Sequence, residues 1–307
     1  MWYNDSMKLG AFEIDEPIPE LHQPHVLAML DPWIDVGSVG TLTLAWLEKH
    51  FEAEDLGRIA RPGNFFDFTR YRPSVYYDEE DRRQVAVPNT YLTYARRPGA
   101  NDLLLLHLLE PHNHADFYIE SVVRLLSYFG VKRYCLLGSM YDYVPHTMPL
   151  LVTGGAIGQS AAHDLEKLGI EGSKYEGPTT ITTLISQKAT QLGMETMSLI
   201  VHLPQYTQLD DDYPGASRLM DMVASLYDLP PDAEYYEKAG HQIEEINEAL
   251  SKNPQLKSIV KDMESQYGER PPHRPPEHRP PLSPEIERFL SEMERKFDDE
   301  GRPRGDR

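Results

Sequence analysis

Between residues 20 and 230, short apolar runs alternate with stretches in which apolar positions recur every three or four residues. Runs at 26–30, 85–87, 103–109, 133–137 and 197–203 read as strands; stretches at 41–50, 116–129, 159–168, 180–192 and 216–227 read as helices. Such alternation predicts a parallel sheet with crossover helices. Pro230 and Pro231 end the pattern, and Asp232 is placed to cap a further helix running towards Leu250. Residues 271–281 (PPHRPPEHRPP) read as an extended linker. Beyond it, Ser283 and Pro284 form a helix start, and Ile286, Phe289, Leu290, Met293 and Phe297 give the tail helix one apolar face. The expected organisation is an N-terminal arm (1–19), an α/β domain (20–230), a helical extension (231–270), a Pro-rich linker (271–282) and an amphipathic tail helix (283–307).

Composition narrows what such a chain does. Its 307 residues carry 30 Lys and Arg against 49 Asp and Glu, a net charge of −19. A nucleic acid or an anionic membrane surface needs a basic face to displace counterions, so neither is an expected partner. No apolar run approaches the roughly 20 residues that span a bilayer. The start MWYNDSMKLG lacks the basic and apolar regions of a secretory signal. Cys135 is the single cysteine, which excludes an internal disulfide and a multi-cysteine zinc site and suits a reducing compartment. The expectation is a cytoplasmic protein whose partner is a small molecule or another protein.

Candidate chemistry collects in the loops that follow strands. DPWIDVGSVG (31–40) places glycines and free N–H groups at a helix start, where an anion is favoured, but it lacks the dinucleotide fingerprint and the P-loop ending; taken alone it reads first as a tight strand-to-helix turn. In EPHNHAD (110–116), Glu110, His112, His114 and Asp116 alternate in the manner of metal ligands, with no defined third ligand, so no metal is assigned. GSMYDYVPHTMP (138–149) offers His146 as a proton donor or acceptor near Asp142. YEGPTTI (175–181) brings Glu176 and Thr179 to another helix start, while GGAIG (154–158) reads as a flexible loop. Ser38, Ser139 and Ser160 all lack the GxSxG elbow of a nucleophilic serine. In a parallel sheet these loops emerge at one carboxyl edge, the usual ligand site of open α/β folds. We therefore expect Asp35, Arg72, His146, Glu176, Thr179 and Tyr206 to converge on one polar cleft.

The serial order of DPWIDVGSVG, FFDFTRYRP (65–73), LEP (109–111), LGSMYDYVPHT (137–147), YEGPTTI and LPQY (203–206) resembles the proteasome assembly chaperone family over residues 20–230. The resemblance implies a three-layer α/β/α fold with a mainly parallel central sheet, similar to nucleoside phosphorylases and peptidyl hydrolases, and frequent oligomers. It offers no established catalytic residues to carry over. In eukaryotic and archaeal relatives it implies ring docking through a C-terminal hydrophobic–Tyr–any residue motif, whereas this sequence ends Gly305-Asp306-Arg307.

Two functions follow as expectations. The leading one is a non-catalytic homo-oligomer acting through protein contacts, with the 283–307 helix docking on its own domain, a neighbouring subunit or an external partner. Self-association is also expected from the helix after Asp232, which lines up Tyr236, Ile243, Ile246 and Leu250. The alternative is a phosphorylase-like, hydrolase-like or ATP-grasp-type ligase activity at the carboxyl-edge cleft, its cofactor left open.

Overall fold

A computed structural model describes residues 6–267 apart from 79, 171, 174 and 175. The tail expectations for 271–307 lie outside the described residues. In chain order the elements are β1 (Ser6–Leu9), β2 (Phe12–Asp15), β3 (His25–Asp31), α1 (Val39–Phe51), β4 (Glu54–Ile59), β5 (Ser74–Tyr77), β6 (Arg83–Ala86), β7 (Tyr91–Ala95), β8 (Leu103–Leu109), α2 (Ala115–Tyr128), β9 (Arg133–Asp142), β10 (Val152–Ile157), α3 (Gln159–Lys167), α4 (Ile181–Gln191), β11 (Glu195–Pro204), α5 (Tyr213–Tyr227), α6 (Ala233–Ser251) and α7 (Pro254–Tyr267).

Nine strands form one sheet in the order β1-β2-β4-β7-β8-β3-β9-β11-β10. Its centre is parallel: β3 pairs with β8 and β9, and β9 with β11. Antiparallel strands extend it at both ends. Alternating side chains of the central strands enter two separate cores. Val26, Ala28, Leu104, Leu106 and Leu108 pack with Tyr118, Val122 and Leu126 of α2 and Ile185 of α4. Leu27, Met29, Leu103, Leu105, Leu137 and Val201 pack with Leu44 and Leu47 of α1, Leu165 of α3 and Leu219 and Val223 of α5. The molecule is thus a three-layer α/β/α sandwich, and strands buried on both faces read as continuous apolar runs. Cys135 lies in this core, where burial pushes its thiol up to about 12, so it stays an unreactive thiol at neutral pH.

Several elements depart from the expectations. Residues 6–15 form a hairpin that joins the main sheet through β2 and β4, with Phe12 and Ile14 fully buried. GGAIG is mostly strand: Gly154 to Ile157 belong to β10, and a Cβ on Gly154 would sit 2.1 Å from the Ser198 carbonyl oxygen of β11. Glycine there permits close strand pairing rather than loop motion. The run at 85–87 belongs to a separate two-stranded ribbon of β5 and β6. Asp232 does cap α6, accepting from the N–H groups of Glu234 and Tyr235 at 2.9 and 3.3 Å. The apolar side of α6, however, faces inward. Ile246 and Leu250 pack with Tyr206 and Leu209 and with Leu256, Val260 and Met263 of α7. α6 and α7 thus bury the C-terminal half of that stripe within one chain, while Ile243 is half-buried and Tyr236 stays 46% exposed, so only the Tyr236 end is left for a neighbour.

Candidate functional site

The four parallel strands end together at Asp31, Leu109, Asp142 and Pro204. The helices that follow β3 and β8 pack on opposite faces of the sheet, so the ends of these neighbours flank a topological switch point. The loops above them carry most of the motifs picked out from the sequence.

Asp35 is buried and turns back on its own helix. Its carboxylate accepts from the N–H groups of Gly40 at 2.5 Å and Thr41 at 3.3 Å, and from the Thr41 hydroxyl at 2.6 Å. The positive end of α1, which a phosphate would need, is already neutralised by this side chain. Burial drives the Asp35 carboxyl up to about 6, against the opposing pull of those donors. The glycines here serve packing. Gly37 has φ +62°, and a Cβ on it would lie 2.7 Å from Asp212 Cβ; a Cβ on Gly40 would lie 2.9 Å from Asp35 Oδ1 and 3.0 Å from Met29 Cβ.

The same device recurs at two more helix starts. Asp212, buried at the beginning of α5, accepts from Gly215 N–H at 2.7 Å, and burial raises it to about 6. Glu110 accepts from the backbone N–H of Ile181, the first residue of α4, and burial raises its carboxyl as well. Its Oε2 is enclosed with no hydrogen-bond partner among the described residues. Three helix N-termini at this edge therefore hold carboxylates of the chain itself. Its place in a loop between a predicted strand and a predicted helix made Asp35 visible in the sequence. Asp212 was missed, although DDYPG carries the signature of a capping Asp before a Pro at the first helical turn.

His146 and Tyr206 meet directly. The Tyr206 hydroxyl accepts from His146 N–H at 2.8 Å and lies 2.6 Å from His146 Nδ1, while His146 Nε2 lies 3.1 Å from Asn247 Oδ1 on α6. Burial lowers the imidazole and raises the phenol, so both stay neutral at pH 7. The pair sits beneath α6 and α7 and ties the loop after β9 to the loop after β11. A second histidine chain, unforeseen from the sequence, links three strands: Thr153 Oγ1 lies 2.9 Å from His202 Nε2, and His202 Nδ1 lies 3.0 Å from Asp142 Oδ2. Both Thr153 and His202 are buried.

The FFDFTRYRP and LEPHN loops interlock. Phe65 and Phe66 enter the core, and the Phe65 carbonyl accepts from the N–H groups of His112 at 2.8 Å and Asn113 at 3.1 Å. The Tyr71 hydroxyl donates to the Glu110 carbonyl at 3.0 Å, and its ring lies 4.6 Å from that of His112. His112 Nδ1 accepts from Asp67 N–H, and His114 takes a left-handed turn before α2. Glu110, His112, His114 and Asp116 thus point to different neighbours. Between the interlocked loops lies an open depression of about 620 Å³, lined by Phe66, Asp67, Phe68, Arg70, His112 and Asn113 among others. None of the six expected cleft residues lines it. Arg72, Glu176 and Thr179 are exposed, and the Thr179 hydroxyl is 2.5 Å from that of Thr183. Of the six, hydrogen bonds join only His146 to Tyr206.

The PAC2 family model matches residues 29–251. The chain belongs to the PAC2 family. This bears out the resemblance to proteasome assembly chaperones, which appear among solved structures of the same fold. A Mycobacterium tuberculosis protein of unknown function superposes with a TM-score of 0.74 at 24% identity, over 96% of this chain and 100% of that one. A proteasome-assembly chaperone homologue from the same organism gives 0.66 at 22%, over 76% and 99%. An archaeal proteasome activator from Pyrococcus furiosus gives 0.61 at 16%, over 78% and 99%. At these identities the likeness to this PAC2 protein is one of fold. No curated protein sequence matches the chain. Among its described residues, no helix is long and apolar enough to cross a membrane.

Proposed function

We propose that this PAC2 protein is a chaperone-like, self-associating cytoplasmic protein that works by holding other protein chains. One observation carries the reading: its own side chains occupy the positions at the carboxyl edge where an α/β enzyme would place an anionic substrate. Asp35, Glu110 and Asp212 sit on three helix starts, and α6 with α7 covers the ends of β9 and β11. The proteasome-assembly chaperone homologue and the proteasome activator of the same fold support it. In this reading Asp35, His146 and Tyr206 brace the edge, while exposed Arg72, Glu176 and Thr179 face the partner. The 283–307 segment is a second candidate contact.

A hydrolase-like activity is the second reading, favoured by the Thr153–His202–Asp142 chain, which has the hydrogen-bond order of a nucleophile, a base and an orienting acid. One experiment separates the two. Native mass spectrometry of the full-length protein, purified without denaturant, is expected to retain a protein partner and no small molecule. A stoichiometric nucleotide or sugar phosphate, or labelling of Thr153 by an acylating probe, overturns the chaperone-like reading.

A further inference from the structure

The largest concentration of exposed apolar side chains among the described residues lies on the ribbon of β5 and β6, which rises from the loop carrying Arg70 and Arg72. Val75 is 49% exposed, Tyr77 65%, Val85 58% and Val87 45%. Val75 stands opposite Val85 and Tyr77 opposite Arg83, so these four side chains share one face, and alternation puts Val87 on it too. The other face carries Tyr76, Ser74, Ala86 and Gln84, of which only Gln84 is even half-buried. Among the described residues, no helix or strand of the body packs extensively on either face. A two-stranded ribbon standing alone in water is at best marginal, and an apolar face of this kind marks an interaction surface.

We propose that this ribbon is an interface between copies of the chain, with the tip of one ribbon lying beside the foot of another. The proposal rests on the self-association in the functional reading above and gives it a surface. Charge identifies the occupant. The foot carries Arg70 and Arg72, both exposed, with Asp67 4.0 Å from Arg70 as the one acidic neighbour in ion-pair contact. The tip is acidic: Asp78, Glu80 and Asp81 surround Arg82, which pairs with both Asp78 and Glu80. Two ribbons running in opposite directions set acidic tip against basic foot while burying Val75, Val85, Val87 and Tyr77 between them. Closed assemblies of identical chains use such self-complementary patches. A ribbon meant for a uniformly charged partner would not carry opposite charges at its two ends.

Sedimentation equilibrium on the full-length chain at tens of micromolar tests this. The wild type is expected at a multiple of 35.2 kDa, and the Val75→Asp/Val85→Asp double variant at the mass of one chain with its circular dichroism unchanged. Arg72→Glu and Glu80→Arg are each expected to weaken association at least severalfold, and their combination to restore it. A monomeric wild type overturns both the proposal and the self-association behind it. An oligomer that keeps its mass in the double variant overturns the ribbon alone. Should the double variant unfold, the charge-reversal pair decides: no loss in either single variant, or no rescue in the double, rejects the interface.

Discussion

The two halves of the carboxyl edge solve one problem differently. At β9 and β11 the strand ends are roofed by α6 and α7, and the buried polar groups there are paired: His146 with Tyr206 and Asn247, His202 with Asp142 and Thr153. At β3 and β8 no helix pair among the described residues covers the ends, and Glu110 keeps one carboxylate oxygen enclosed with no hydrogen-bond partner among them. Roofing a strand end obliges the chain to supply every hydrogen bond that water would have made. The other half meets that obligation less completely, since the enclosed Glu110 oxygen has neither solvent nor a described side chain to bond.

The sharpest way to break this comparison is to damage the roof. Leu256, buried on α7, anchors the cluster with Leu250 and Tyr206. Leu256→Ala is expected to cost about 2–5 kcal/mol in urea unfolding. Next, Tyr206→Phe strips partners from both the backbone and the ring of buried His146, an expected cost of about 1–3 kcal/mol by the same measurement. Neither loss should appear if the helix pair merely rests on the sheet.

Asp35, bridged to Ser139 of β9, stands at the seam between the halves. Its carboxyl is held near 6 when folded, above its ordinary value of 3.8. The folded state then binds more protons than the unfolded one between those pH values, so stability from this group grows as pH falls through 6 and is lost as pH rises. The stability advantage of wild type over Asp35→Asn is expected to be larger at pH 5 than at pH 7.5; a constant gap would mean that Asp35 ionises freely. The smallest effects belong to the open half. Arg72→Ala and Thr179→Ala are expected to shift stability by less than about 0.5 kcal/mol, because both side chains are exposed.

The legibility of the sequence followed the same divide between enclosed and open structure. β8 was plain because burial on both faces leaves an unbroken apolar run, LLLLHLL. β4, EDLGRI, was not, since half its side chains face solvent and its glycine breaks the pattern; a Cβ there would lie 2.4 Å from the Glu13 carbonyl oxygen. α7 was covered only by the coarse expectation of a helical extension over 231–270; its own bounds were not marked, because only Leu256, Val260 and Met263 of it are buried. At the edge, strand order placed His146 and Tyr206 on the same side of the sheet. Their shared hydrogen bonds, and the one to Asn247 101 residues away from His146, depend on how α6 returns, which no local pattern encodes.

The central strand has one further consequence, for how the chain comes off the ribosome. β3 (His25–Asp31) is among the first strands synthesised, yet its two hydrogen-bonded neighbours begin at Leu103 and Arg133. Until the first of them emerges VLAML has two bare edges, and until the second does it keeps one, open to the wrong partner. Pairings this distant in sequence also slow folding, because the loop must close before the contacts reward it. A protein that here reads as a holder of other chains therefore spends its own synthesis as a substrate for one.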